Sequence, residues 1–264
     1  MPTFTLNSAA RQAMTIARYT LLEALRTRLP WLMLAVLLLA LLGSLFVKEI
    51  AITETLRLQV SFLAASLRLA AVFIIALYIV STMVREFNDK NLELLLSLNL
   101  PRAAYASGRF LGFSLVALIA VAFICLPLVW LTPWEPVLQW ALSLTLELWI
   151  VASLSFFCII TFTYIMPAAS FVMAFYLLAR SITAIRLIGG SVLFDPQSPS
   201  HRVSVFLVDC LSLVLPNFDA FTQTAWLVNQ SSEWHMLLPI VVQSTIYTGL
   251  LLGAALFDLY RKNL

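Results

Sequence analysis

Arg68, Glu147 and Arg180 are charged residues set inside long apolar runs. A charge at the centre of a bilayer costs roughly 2.5–3.5 kcal/mol on insertion scales, so each needs a partner or a route to water. Glu147 lies well inside the run 138–162, in the outer half of a membrane span under the orientation argued below, and Arg68 and Arg180 fall toward the same side. The three can meet at one depth, with Glu147 paired to Arg180 or to Arg68. Such a group has two uses. It can line a substrate route or gate, or it can lock helices together while the arginines extend their heads toward water.

Other chemistry is sparse. No paired carboxylates, nucleophile–base set or metal cluster stands out. His201 and His235 are far apart, without metal-ligand spacing, and read as surface residues. Cys125 and Cys158 sit in apolar runs, where a cysteine behaves as a small buried hydrophobe. With Cys210 they form neither a disulfide framework nor a metal pattern. The seven glycines include no phosphate-cradling GxxxxGK[ST] loop. The chain itself is expected to be no enzyme and to bind no cofactor or metal.

Charge concentrates instead in "REFNDKNLELLLSLNLPRAAYASGR", Arg85 to Arg109, which holds seven of the charged residues, against 16 Lys and Arg plus 13 Asp and Glu in the whole chain. Asn88 or Asp89 can cap a helix that begins at Lys90. Leu92, Leu95 and Leu96 then make an apolar ridge, extended by Leu98 and Leu100. Pro101 stops that helix and can open the next one at its first turn. The segment is either a loop whose leucines tuck into the membrane interface or a docking element for a soluble partner, a helix set in a groove.

The elements that position these residues follow from composition. The chain has 264 residues, 62% of them hydrophobic and only 11% charged, with mean hydropathy +0.97. Soluble domains carry roughly 25% charge. A hydrocarbon core of about 30 Å needs roughly 20 apolar residues per helix, and the runs are continuous rather than alternating, which argues against a β-barrel. The expected fold is an all-α membrane protein. An N-terminal amphipathic interfacial helix occupies residues 1–29, with Ala10, Met14, Ala17, Leu21 and Leu25 as its apolar stripe and its arginines toward anionic headgroups. A six-span domain fills residues 30–264, with spans at 30–47, 61–84, 110–131, 138–162, 166–185 and 236–257. A polar connection joins the first two spans, and a very short uncharged one near Thr163 joins the fourth and fifth. The outer segment 186–235 holds the turn around Asp195, Pro196 and Pro199, then an apolar run too short to span, which reads as a re-entrant or outer helix. Asp209 interrupts that run and can face a water-filled vestibule.

Lysine and arginine placement sets the orientation. With the amino terminus cytoplasmic, ten basic residues fall in cytoplasmic pieces and four in outer ones. The bias places both termini and the segment 85–109 inside. The net charge of +3 is small and is no nucleic-acid surface.

An interfacial helix, six spans and the pattern Glu86, Leu92, Glu93, Leu94, Leu95, Pro101, Arg102, Gly108, Arg109 after the second span resemble the membrane subunits of ABC transporters of the ABC-2 type. Lys90 and Asn91 stand where that family often has a Gly-Thr pair. "LVLPNFDAF", Leu213 to Phe221, also resembles an outer segment of some members. The resemblance implies a permease of the bacterial cytoplasmic membrane, with the segment 85–109 as a coupling helix seated in a separate ABC ATPase subunit. Glu86, Asp89, Lys90, Leu92, Glu93, Leu95, Leu96, Pro101 and Arg102 would make that contact. ATP and Mg would belong to the ATPase. A second permease copy or a paralogue, membrane lipids and an outer-side protein are the other implied partners. Export is the implied direction. The alternative is a mechanical subunit that relays ATP-driven motion to an outer partner without passing substrate.

Overall fold

The computed structural model describes residues 6–50, 54–88, 101–189, 199–230 and 234–261. In lipid a backbone amide has no water to bond, so a long apolar run satisfies its own N–H and C=O groups as a helix. The described residues accordingly contain helices and no strand. In chain order these are α1 Leu6–Arg26, α2 Leu29–Ile50, α3 Thr55–Asn88, α4 Arg102–Leu131, α5 Trp134–Phe162, α6 Ile165–Gly189, α7 Pro199–Val214, the short α8 Thr224–Val228 and α9 Leu237–Arg261, the last entered through a 3-10 turn at Trp234–Met236. Six of them, α2 to α6 and α9, are long and apolar enough to cross a membrane.

Helix α5 is the centre of the bundle. Its most apolar window is 78% buried, against 22% for α2 and for α9. It packs on α9, α4, α3 and α6. Its buried face carries Ser143, Ser153 and Ser155, small residues that let neighbouring helices approach. The hydroxyls of Ser153 and Ser155 donate to Ile150 O at 2.8 Å and Val151 O at 2.7 Å. Helix α5 ends at Thr163, whose φ of 61° lies in the left-handed region and whose N–H donates to Ile159 O. The turn to α6 is short and uncharged, as expected.

The element ends differ from the sequence reading. The connection expected from Lys48 to Val60 is already helical from Thr55. Helix α4 starts at Arg102, directly after Pro101 with φ −64°, where the proline is expected to open a helix, and it runs unbroken into the span expected from residue 110. Polar residues that flank an apolar run continue its helix once their side chains find partners, and hydropathy alone registers only the apolar part.

Helix α1 buries a face other than its apolar stripe. Of the expected stripe only Ala17 is fully buried, while Met14 is 65% and Leu25 49% exposed. The buried face is Ala13, Ala17, Thr20 and Ala24, and it lies against α4. A Cβ placed on Gly108 would sit 2.8 Å from the Ala13 carbonyl oxygen, and one on Gly112 only 2.5 Å from Thr20 Cβ. The Gly108–Gly112 spacing is the small-xxx-small pattern that admits close helix crossings. Since Ala13 meets Gly108 and Thr20 meets Gly112, α1 runs in the same sense as α4. What selects the buried face is smallness, not hydrophobicity.

Between α7 and α8 the chain is irregular. Leu215, Pro216, Phe218, Phe221 and Thr222 are nevertheless buried, as are Trp226 and Leu227 of α8. Helix α8 rests on α3 and α5. The expected short outer helices thus correspond to α7, which lies on α6, and to α8 with its inserted approach.

Candidate functional site

Two buried charged clusters stand out. The first joins the two ends of the segment Arg85 to Arg109. Gly108 and Gly112 bring α1 close enough for Thr20 and Glu23 to reach Arg109 on α4. The Arg109 guanidinium, on a residue only 9% exposed, donates to Thr20 Oγ1 at 3.0 Å and to Glu23 at 3.4 Å. It also forms an ion pair with Glu86, near the end of α3. Glu86 is 7% exposed. Buried charges persist where they are paired and hydrogen-bonded, and here one guanidinium serves two carboxylates and a hydroxyl. Three helices converge on it.

Arg102 makes a second fastening nearby. Its guanidinium donates to Leu259 O at 2.5 Å and Tyr260 O at 3.1 Å, in the last turn of α9, and lies 5.8 Å from the centroid of the Tyr260 ring. The final carbonyls of a helix lack intrahelical donors, and a cation there also complements the helix dipole. Asp258, on the same turn, accepts from Thr161 Oγ1 of α5 at 2.7 Å. Of the expected docking residues, then, Glu86 faces the bundle interior and Arg102 holds α9. Pro101 caps α4. Asp89, Lys90, Leu92, Glu93, Leu95 and Leu96 lie outside the described residues.

The second cluster is about 27 Å away along α3, by helical rise from Glu86 to Arg68. Here the structure does bring Arg68, Glu147 and Arg180 together, through a residue that sequence reading missed. Thr222 is fully buried and has φ 42°, a conformation costly for a β-branched residue. Its N–H donates to Ser143 Oγ at 2.9 Å and its hydroxyl to Glu147 at 2.7 Å. Its carbonyl accepts from Arg68 at 3.2 Å. Glu147, also fully buried, takes a second hydrogen bond from Tyr176 at 2.8 Å. Arg180 donates to Phe218 O and, at 3.1 Å, to Phe221 O. The expected ion pair between Glu147 and an arginine is replaced by this arrangement. The carboxylate is satisfied by two hydroxyls, and both arginines donate to carbonyls of the inserted segment, while Arg68 Nε is buried without a hydrogen-bond partner among the described residues. The reason lies in the backbone: irregular chain inside a bundle exposes carbonyls that helices would satisfy themselves, and arginines carry several donors in a fixed fork.

Asp209 on α7 pairs with Arg186 on α6 at 3.0 Å, both about half exposed. Cys125 and Cys158 are buried and free, and Cys210 is exposed. Among the described residues no group of His, Cys, Asp and Glu is placed to hold a metal ion. Tyr176, Ser143 and Thr222 carry no mark in the sequence, since each is one hydroxyl in an apolar setting. Thr20 and Glu23 could have been found from the small-residue spacing Gly108–Gly112, which implies that some helix must dock there.

Among the described residues, fold and site together define a helical protein with six helices long and apolar enough to cross a membrane. No family model matches the sequence, and no curated protein is similar to it.

Proposed function

We propose that this chain is the membrane-spanning subunit of an ATP-driven ABC-2 type exporter. In this reading it sits in the bacterial cytoplasmic membrane with both termini inside, pairs with a second copy or a paralogue, and takes its energy from a separate ATPase seated on the segment 85–109. The observation that supports it is the Glu86–Arg109 ion pair. It ties the chain entering the segment to the chain leaving it, and Glu23 and Arg102 extend the tie to α1 and α9. A push on such a segment is passed to four helices at once, which is what a handle between an ATPase and a span bundle requires. The leucine ridge supplies the contact, since exposed ion pairs contribute only about 0–1 kcal/mol each.

The test is co-purification of the chain with candidate ATPase subunits. Replacing Leu92, Leu95 and Leu96 with serine should release the ATPase while membrane insertion and thermal stability stay unchanged. An assembled, active complex in that variant would sink the docking assignment.

A second reading has one observation in its favour. The inserted segment around Phe218 to Thr222 is held by three helices through Arg68, Glu147 and Arg180, so bundle motion would be carried into the outer face. A subunit that relays force to an outer protein would use that connection. Retention of transport by liposomes containing only the permease and ATPase separates the two readings in favour of export.

A further inference from the structure

We infer that the elbow between α1 and α2 binds an anionic phospholipid, one acyl chain in the groove beneath it and the headgroup on Arg26 and Arg28. The groove has a volume of about 210 Å³ and is lined by apolar side chains of three helices, among them Leu21 and Leu25 of α1, Met33 of α2, and Ile119 and Phe123 of α4. It follows two turns of α4, from Val116 to Phe123, about 10 Å by helical rise. A slot this narrow and apolar suits a hydrocarbon chain and not a polar solute.

Charge decides which lipid. Arg26 and Arg28 are exposed and directly flank the groove residues Leu25 and Leu29. Neither takes part in an ion pair among the described residues, because the nearby Glu23 is turned toward Arg109. Two exposed arginines that make no ion pair among the described residues thus stand next in the chain to the lining of an apolar slot, and guanidiniums bind phosphate oxygens in a fixed fork. A second groove, between α4, α5 and α9, gives the contrast. It is larger, about 580 Å³, and equally apolar. Yet α4 beyond Arg109 and the whole of α5 contain no lysine or arginine, the one in α9, Arg261, stands at the far end of that helix from the lining residues Leu237 and Val241, and Glu135 stands at the start of α5. That groove has no cation with which to choose a headgroup. The elbow does.

The experiment is native mass spectrometry of the full chain in detergent, with phosphatidylglycerol or phosphatidylcholine of identical acyl chains added. The first phosphatidylglycerol adduct should reach half occupancy at about tenfold lower concentration than the first phosphatidylcholine adduct, the order expected of two surface arginines acting on an anionic headgroup. Replacing both arginines by glutamine should bring the two lipids to within about twofold, while lysine at both positions should keep much of the preference. Leu25→Trp, at the exposed lip of the groove, should lower first-adduct occupancy for both lipids. All three changes lie at exposed positions, and melting curves check that each variant is folded. Equal occupancy of the two lipids on the unaltered chain overturns the inference. So does a preference that survives the glutamine variant, or an occupancy indifferent to Leu25→Trp.

Discussion

Thr222 holds a backbone conformation that β-branched residues rarely adopt, and it does so with every polar group engaged. Strained residues persist where their surroundings over-determine them. Here Ser143, Glu147 and Arg68 do so through three hydrogen bonds. Thr222→Val keeps the shape and removes the hydroxyl, leaving a Glu147 oxygen short of a donor. An unsatisfied buried acceptor costs about 1–3 kcal/mol, so the melting temperature in detergent should fall clearly. Thr222→Ser should melt like the unaltered chain. Equal melting of the valine and serine variants would show that the hydroxyl does not hold the segment. The first cluster makes a second prediction. Arg109→Gln leaves Glu86 buried without its cation, and breaking a buried pair costs about 3–5 kcal/mol. Glu86→Gln should cost less, since Glu23 still faces the arginine. The double variant should lose markedly less than the sum, because the two residues act as one unit. Additive losses would mean that the pair is not coupled.

Helices respond to their neighbours' volume as well as to their own propensity, and the glycines separate the two. Gly112 has Thr20 Cβ within 2.5 Å of where a Cβ would be built, whereas Gly249 and Gly253 in α9 have nothing within 4 Å. Alanine at Gly249 or Gly253 should therefore be neutral or stabilising by about 0.5–1 kcal/mol, the usual helix preference. Alanine at Gly112 should push α1 off α4 and expose the elbow at Thr27 and Arg28 to protease. If the elbow in Gly112→Ala is cut no faster than in the unaltered chain, the close crossing is not what holds α1. The same glycines show how much of the fold was legible. The six apolar runs stood out in the sequence because each falls within or near the range of roughly 17–25 residues that a membrane-crossing helix needs. The start of α3 at Thr55 did not, because that turn is polar and its ion pair, Arg57 with Glu54, is local and exposed. The start of α4 was marked by Pro101, but not its unbroken run into the span, where Arg102 is held by the carbonyls of Leu259 and Tyr260. The face that α1 buries against α4 was not marked by hydrophobicity, since it holds Ala13, Thr20 and Ala24, while Met14 and Leu25 of the apolar stripe are exposed. Arg68, Glu147 and Arg180 were recognisable as a group from the cost of charge in lipid. Thr222 was not, because no local pattern marks a loop threonine that three helices will clasp.

Across the whole molecule, the two clusters lie roughly a hydrocarbon thickness apart along α3, about 27 Å by helical rise, and by the sequence reading ten basic residues fall in the pieces on the side of segment 85–109 and four on the other side. Positive charge is retained on the cytoplasmic side during insertion. Ala103, beside the first cluster, and Asn217, beside the second, are both exposed, which makes them reporters of opposite faces. With the exposed Cys210 replaced by serine, the remaining Cys125 and Cys158 are buried and silent toward a membrane-impermeant maleimide. Asn217→Cys should then label in intact cells, and Ala103→Cys only after the membrane is opened. The reverse pattern would place the segment 85–109 outside, beyond the reach of any cytoplasmic ATPase. It would also put the elbow arginines on the other leaflet. Labelling of both sites in intact cells would mean that the two clusters share a face, which the separation along α3 forbids if that helix crosses the bilayer once.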